Sequence, residues 1–349
     1  MRRGLISRSP VELPDAVLEA RLDRVRAAMA KAELDALAIY TNNTRTAGVS
    51  WLTGFVPYWS EALLVVPGRG ATFLVAALSF RVKPWIERVS RVGAVLHAPR
   101  IGLKAGQEIA AARADAAVGV VDLDGLPAGI TDDLREGGPG LALRDASDWF
   151  APLRSKADPA EIALAMHAAA IAHRALGAAS PDTLGAMVAA VEREARHRGA
   201  EEIYVAVAAD LERDARFVRI EGAARRGETF ALRATVAYKG SWVRLVRTIC
   251  DPALAEKANA QLAAAVAGLP HSHGFSEFRS WLVEGCRLVQ PLDPMIGSRV
   301  DGSLAPSLGA VVSVRGALSI DGQTVLVGAP ALIGAPGEAA SLLVDPHFG

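Results

Sequence analysis

The stretch from Gly227 to Thr248, GETFALRATVAYKGSWVRLVRT, sets Arg233, Arg244 and Arg247 into two apolar runs around the turn formers Tyr238-Lys239-Gly240-Ser241. A further arginine, Arg315, interrupts another apolar run, VVSVRG. Guanidinium carries five N–H donors and no lone pair, so it cannot ligate a metal, but its fork matches a carboxylate or phosphate. On facing strands at about 5 Å and an effective dielectric of ~20, each pair of such groups repels by roughly 3 kcal/mol. Two arrangements relieve this. The arginines turn away or pair with nearby acids such as Glu221, Glu228 or Asp321, or they converge on a small anion or acidic peptide.

Other chemistry is sparse. His271 and His273 form a His-x-His pair, but two ligands are too few for a closed metal site, and the segment reads as a polar loop. His167 and His173 are six residues apart on one helical pattern and share no face. No Gly-x-Ser-x-Gly elbow or phosphate-cradling glycine loop is present. The segment Thr41–Glu61, TNNTRTAGVSWLTGFVPYWSE, mixes Asn42, Asn43, Arg45, Trp51, Tyr58 and Trp59. Such a mixture suits a ligand pocket, whereas tryptophans taken singly suit a core; both readings stand.

The elements that must position these residues follow from periodicity. Val17, Leu18, Leu22, Val25 and Met29 recur at three- and four-residue steps, a helix over 16–32. Residues 35–40, 63–66 and 72–75 read as strands, the last two joined through Pro67-Gly68-Arg69-Gly70. Helix and strand patterns alternate to about Val121, which indicates an α/β domain. After Leu153-Arg154-Ser155-Lys156, the phrase Asp158-Pro159-Ala160-Glu161 is a helix start: N-cap, proline at the first turn, glutamate at N3. Helices are predicted over 159–176, 180–199, 251–269 and 275–285, and strands over 311–314 and 324–327.

The central stretch resembles that of the pita-bread metallopeptidase family, which includes methionine aminopeptidase, aminopeptidase P, prolidase and creatinase. Tyr238, Gly240, Arg247 and Thr248 match its framework, Leu52-Thr53-Gly54-Phe55 matches a phrase of its N-terminal domain, and Leu153-Arg154-Ser155-Lys156 its domain join. The resemblance implies a creatinase-like, ribonuclease H-like α/β domain over 1–152 and a pita-bread α+β domain over 153–349. It also implies what is missing. Arg233 and Arg244, eleven residues apart, occupy the two metal-bridging aspartate positions. Arg315 occupies one glutamate position, Gly322 falls on the other, and the two histidine positions fall near Pro294 and on Arg216. Carboxylate and imidazole donors are what such metals require.

No dinuclear centre and no other cofactor is therefore expected. The candidate ligand-binding set is Arg216, Arg233, Tyr238, Arg244, Arg247 and Arg315, together with Asn43, Arg45, Trp51 and Trp59, because the equivalent loop of family dimers reaches the partner's cleft. Two functions follow. One is a catalytically silent homologue that binds a small anionic ligand or acidic peptide, as a homodimer or beside an active paralogue. The other is a metal-independent C–N hydrolase like creatinase, which counts against itself here because arginine stands where a basic histidine is needed.

Composition bounds the partners. Lysine plus arginine and aspartate plus glutamate number 38 each, which excludes a general binder of nucleic acid or anionic membranes. Mean hydropathy of +0.24 comes largely from alanine and valine, with no spanning apolar block. The start, MRRGLISRSPVELP, has no apolar run behind it and does not read as a secretory signal. Cys250 and Cys286, the two cysteines, read as free thiols, and a cytoplasmic protein is expected.

Overall fold

The structure is a computed structural model, and it describes residues 8–43, 45–57, 60–179, 182–220, 224–269, 275–285, 307–334 and 337–347. The chain divides into two compact units, Met1–Arg154 and Ser155–Gly349. Among the described residues no helix is long and apolar enough to cross a membrane.

The first unit runs α1 (Asp15–Lys31), β1 (Ala36–Asn42), α2 (Ala47–Thr53), β2 (Glu61–Pro67), β3 (Phe73–Ala76), α3 (Lys83–Val89), β4 (Ala94–His97), α4 (Ile101–Ala112), β5 (Ala117–Val120), α5 (Ala128–Gly137), β6 (Ala142–Asp145) and α6 (Ser147–Leu153). Its sheet has the order β4-β3-β2-β1-β5-β6. The pairs β1–β2 and β2–β3 are antiparallel, and the others are parallel. The apolar runs of β1 and β2 are buried on both faces. Leu37 and Ile39 enter one core with Val25 and Met29 of α1, while Ala38 and Tyr40 enter a second with Ile101 and Ala105 of α4. A mixed sheet covered on both sides requires such uninterrupted hydrophobic strands.

The second unit runs α7 (Pro159–Gly177), α8 (Leu184–His197), β7 (Glu202–Ala208), β8 (Phe230–Tyr238), β9 (Ser241–Ile249), α9 (Pro252–Ala267), β10 (Phe278–Gly285), β11 (Val311–Ile320), β12 (Gln323–Leu332) and β13 (Ser341–Leu342). The α7 start is a complete capping box: Asp158 Oδ1 accepts from Glu161 N at 3.0 Å, and Glu161 Oε2 accepts from Asp158 N at 3.2 Å. The sheet has the order β10-β11-β12-β9-β8-β7, with β13 beside β12, and every neighbour is antiparallel. Leu232, Ala234, Val236, Val243 and Leu245 alternate onto one face, where they pack in a single core with residues of α7, α8 and α9.

Residues 275–285 correct the expectation of a helix. Phe278–Gly285 is β10, registered against β11 with an irregularity between Phe278 and Ser280. Trp281 and Val283 pack on the helix-side core, so Leu282 and Glu284, one residue out of phase, lie on the other face. The run alternates with period two, and its tryptophan and valine suit a pleated surface.

Lys239 and Gly240 join β8 to β9 with φ of 46° and 78°. Positive φ at both central residues is the type I′ hairpin turn, which matches strand twist. Glycine takes this conformation freely; for lysine it carries a cost. The Glu201 carboxyl group offsets it by accepting from Gly240 N at 3.2 Å. Burial pushes Glu201 up to about 7, against the pull of the Lys239 and Gly240 amides and with a smaller push from Glu202.

Two outcomes follow. Leu245, fully buried in the helix-side core, should cost about 2–5 kcal/mol in chemical denaturation when changed to alanine. Glu201 keeps its proton in the folded state at pH values where the unfolded chain releases it. Its contribution to stability is therefore complete below about pH 4.5 and is lost as pH rises through about 7. Urea melts of wild type and Glu201→Gln should show the variant gaining on wild type between pH 5 and pH 8 by on the order of 2–3 kcal/mol. Parallel pH profiles would refute that assignment.

Candidate functional site: an arginine face on the antiparallel sheet

Residues paired across an antiparallel ladder share a face. One such row crosses the whole sheet of the second unit. Ala206 pairs with Arg233, Arg233 with Val246, Val246 with Gly328, Gly328 with Arg315, and Arg315 with Leu282. Arg244, two residues from Val246, lies on the same face, as does Glu284, two residues from Leu282. This is the side away from the helices. It also carries a small apolar cluster of Ala208, Leu211, Ala231, Val246 and Leu326, with Phe217 against it.

The row places Arg233, Arg244 and Arg315 on one surface, and one carboxylate organises two of them. Arg244 Nη1 stands 2.5 Å from Glu284 Oε2, and Arg315 Nε stands 3.7 Å from the same oxygen. The Arg244 side chain is 4% exposed, while those of Glu284 and Arg315 are each 19% exposed. Arg244 N also donates to Ser313 Oγ at 3.2 Å. The Arg233 guanidinium lies over the Phe217 ring, 4.5 Å from its centroid. Such a contact desolvates the cation against an aromatic face.

Gly328 makes room for this arrangement. A Cβ there would stand 2.9 Å from Arg315 Cβ and 3.0 Å from Val246 Cγ2. Gly322, the glycine expected beside the site, instead forms the β11–β12 turn with Asp321, at φ of 79° and 52°. Gly328, not Gly322, faces Arg315 across the hairpin.

Other expected members do not join this face. Tyr238 and Arg247 alternate onto the opposite one, because each is an odd number of residues from Arg233 or Arg244 along its strand. Tyr238 packs on the helix-side core with His167, ring centroids 4.2 Å apart. Arg247 donates to the Leu176 carbonyl of α7 at 2.8 Å, and burial lowers its pKa from the ordinary arginine value. Arg216 is exposed, and Asp214 holds it through Nε and Nη2, the latter at 2.7 Å. Of the acids expected as partners, Asp321 pairs with Lys257 at 2.8 Å, Glu228 is exposed, and Glu221 lies outside the described residues. Glu284 takes their place. Its signal in the sequence was the alternation of WLVEG, which a helical reading hides.

In the first unit, Asn43 follows β1 at a bend. Arg45 Nη1 is 3.0 Å from Asp122 Oδ2 and also meets the Gly125 carbonyl. Trp51 is core: it is buried, meets Phe150 edge-on at 6.0 Å, and lies under the cations of Arg21 and Arg24. Trp59, the His271–His273 pair and the Pro294 region lie outside the described residues.

A divalent metal does not fit the arginine face. The single carboxylate that touches it among the described residues, Glu284, already carries two guanidiniums, and a bound cation would face three positive groups. Among the described residues no group of three or more histidine, cysteine, aspartate or glutamate side chains could hold a metal ion.

Residues 21–156 match the model of the Creatinase/Prolidase N-terminal domain. Solved structures match over nearly the whole length. The prolidase from Pyrococcus horikoshii OT3 is 17% identical, with a TM-score of 0.68, over 95% of this chain and 99% of that one. The X-Pro aminopeptidase from Thermotoga maritima MSB8 is 14% identical, with a TM-score of 0.70, over 94% and 98%. The Xaa-Pro dipeptidase from Bacillus anthracis is 15% identical, with a TM-score of 0.69, over 93% and 97%. No curated protein matches the sequence. At these identities the structural likeness establishes fold. Residues 21–156 are a Creatinase/Prolidase N-terminal domain, and nearly the whole chain has the fold of these prolidase and Xaa-Pro peptidase structures.

Proposed function

We propose that this protein is not a metallopeptidase but a catalytically silent pita-bread protein whose arginine face binds a small carboxylate or phosphate. The observation that supports this most is the state of Arg315. Its side chain is 19% exposed, its Nε stands 3.7 Å from Glu284, and among the described residues it makes no hydrogen bond. A guanidinium held in place by a neighbouring carboxylate, with donors still open, is pre-organised for a forked anion contact. Arg244 and Glu284 act as the scaffold of that contact, since their 2.5 Å pair fixes the carboxylate beside Arg315.

The metal-independent hydrolase reading gains no support from these residues. A general base needs a titratable group within reach of the bond to be broken, and the histidine position falls on exposed, ion-paired Arg216. Glu284 is engaged by Arg244 and is not a free base.

Three measurements test this. Elemental analysis of purified protein should find far less than one equivalent of zinc, manganese, cobalt or iron, and Xaa-Pro dipeptides should not be turned over with added manganese or cobalt; stoichiometric metal or turnover that survives purification would overturn the proposal. Arg244→Ala should destabilise the fold by about 3 kcal/mol, because it leaves the Glu284 charge half-buried without its closest partner. In a thermal-shift series, acetate and inorganic phosphate should raise the melting temperature of wild type, less so at high salt, and should leave Arg315→Gln unmoved. An equal shift in both proteins places the anion elsewhere, and the proposal falls.

A further inference from the structure

Glu284 meets its two arginines in different ways. Arg244 Nη1 closes on Glu284 Oε2 at 2.5 Å, and the Arg244 side chain is almost fully buried. Arg315 Nε stops 3.7 Å from the same oxygen, beyond hydrogen-bond reach, and the Glu284 and Arg315 side chains are each 19% exposed. The strands set this offset. Glu284 is registered opposite Ser313, two residues from Arg315, so the two charges meet on a diagonal between β10 and β11. Each keeps polar capacity toward water. Glu284 Oε1 and the three Arg315 nitrogens have no hydrogen-bond partner among the described residues, and none of them is among the buried side-chain atoms that lack one, so all reach solvent.

An open acceptor and open donors of opposite charge therefore stand side by side. A bare anion on Arg315 gains the donors but lies near the Glu284 charge. A bare cation on Glu284 Oε1 would face Arg244 and Arg315, which is why a metal does not fit here. A ligand that carries both charges gains at both ends: its carboxylate takes the N–H donors of Arg315, its ammonium donates to Glu284 Oε1, and like charges stay apart. It adds no net charge, so the balance between Arg244 and Glu284 is undisturbed. The 3.7 Å gap also sets the spacing, because the two ligand charges must stand about as close together as the side chains they answer. One carbon between ammonium and carboxylate meets this, and a longer chain would have to fold back.

We infer that the ligand of this face is a free α-amino acid, held as a zwitterion with its carboxylate on Arg315 and its ammonium on Glu284 Oε1. The inference rests on the proposed anion site and narrows it to a ligand class. Glu284 is then a specificity-determining residue as well as a scaffold, since it selects for an ammonium beside the bound carboxylate.

The experiment titrates wild type, Glu284→Gln and Arg315→Gln calorimetrically with glycine, β-alanine, N-acetylglycine, acetate and inorganic phosphate. Glycine should bind wild type about tenfold more tightly than acetate, the gain expected of one charge-assisted hydrogen bond at a partly exposed site. N-acetylglycine keeps the carboxylate but has no ammonium, and it should bind no better than acetate. β-alanine, one carbon longer, should lose most of the preference. Glu284→Gln should bring glycine down to the acetate level, and Arg315→Gln should abolish binding of both. Should Glu284→Gln fail to fold, the comparison of glycine with N-acetylglycine on wild type carries the same test. Glycine and acetate binding alike, with both dependent on Arg315, would overturn the zwitterion and leave the anion site standing. A preference over acetate that N-acetylglycine shares, or one that persists in folded Glu284→Gln, would overturn the contact between the ammonium and Glu284. β-alanine matching glycine would overturn the α spacing. Failure of glycine, acetate and phosphate alike to bind would remove the site itself, and this inference with it.

Discussion

The contact on which the second unit's chemistry depends is one carboxylate oxygen shared by two guanidiniums. Glu284 Oε2 lies 2.5 Å from Arg244 and 3.7 Å from Arg315. Without it, the face would gather like charges on an apolar sheet whose other side is packed against helices, and water could reach only one side to screen them. With it, a negative centre stands between two positive ones, as a bridging cation stands between carboxylates in a metal site. Every sign is reversed, yet the geometric task is the same: long polar side chains from several strands are drawn to a common point. The type I′ hairpins and the row from Arg233 to Leu282 supply the strand register that makes this possible.

Much of the architecture was legible in the sequence. The capping phrase at Asp158–Glu161 set the start of α7 to the residue, and the Tyr-Lys-Gly-Ser turn fixed the β8–β9 hairpin. That hairpin also held information that motif matching passes over. With two residues in the turn, position 233 must pair with 246 and 235 with 244, so Arg233 and Arg244 share a face while Tyr238 and Arg247 take the other. Counting parity along the strands would have separated the four, but a family motif written as one line groups them together.

Glu284 was harder to find. Its segment is short, carries one tryptophan and one phenylalanine, and lies beside a stretch of weak periodicity, so a two-residue repeat and a helical one fit about equally well. Only pairing with β11 decides the matter. The glycine at 328 was also out of reach of motif alignment. Its meaning is steric, set by the approach of Val246 and Arg315 from neighbouring strands, and no local sequence feature reports that. Of the two readings open for Trp51, the structure shows core packing, with Phe150 edge-on to its ring.

The shared carboxylate also constrains the order in which this surface could be rebuilt. An engineer who put an acid at position 244 would set it against Glu284, two negative charges meeting where one held the arginine. An acid at 315 would do the same at longer range, and an acid at 328 would first have to displace Val246 and the Arg315 stem. These steps are uphill while Glu284 keeps its charge, and the intermediates hold neither the old ion pair nor a new cation. Neutralising Glu284 first removes the repulsion at 244 and 315; otherwise those substitutions must be made together.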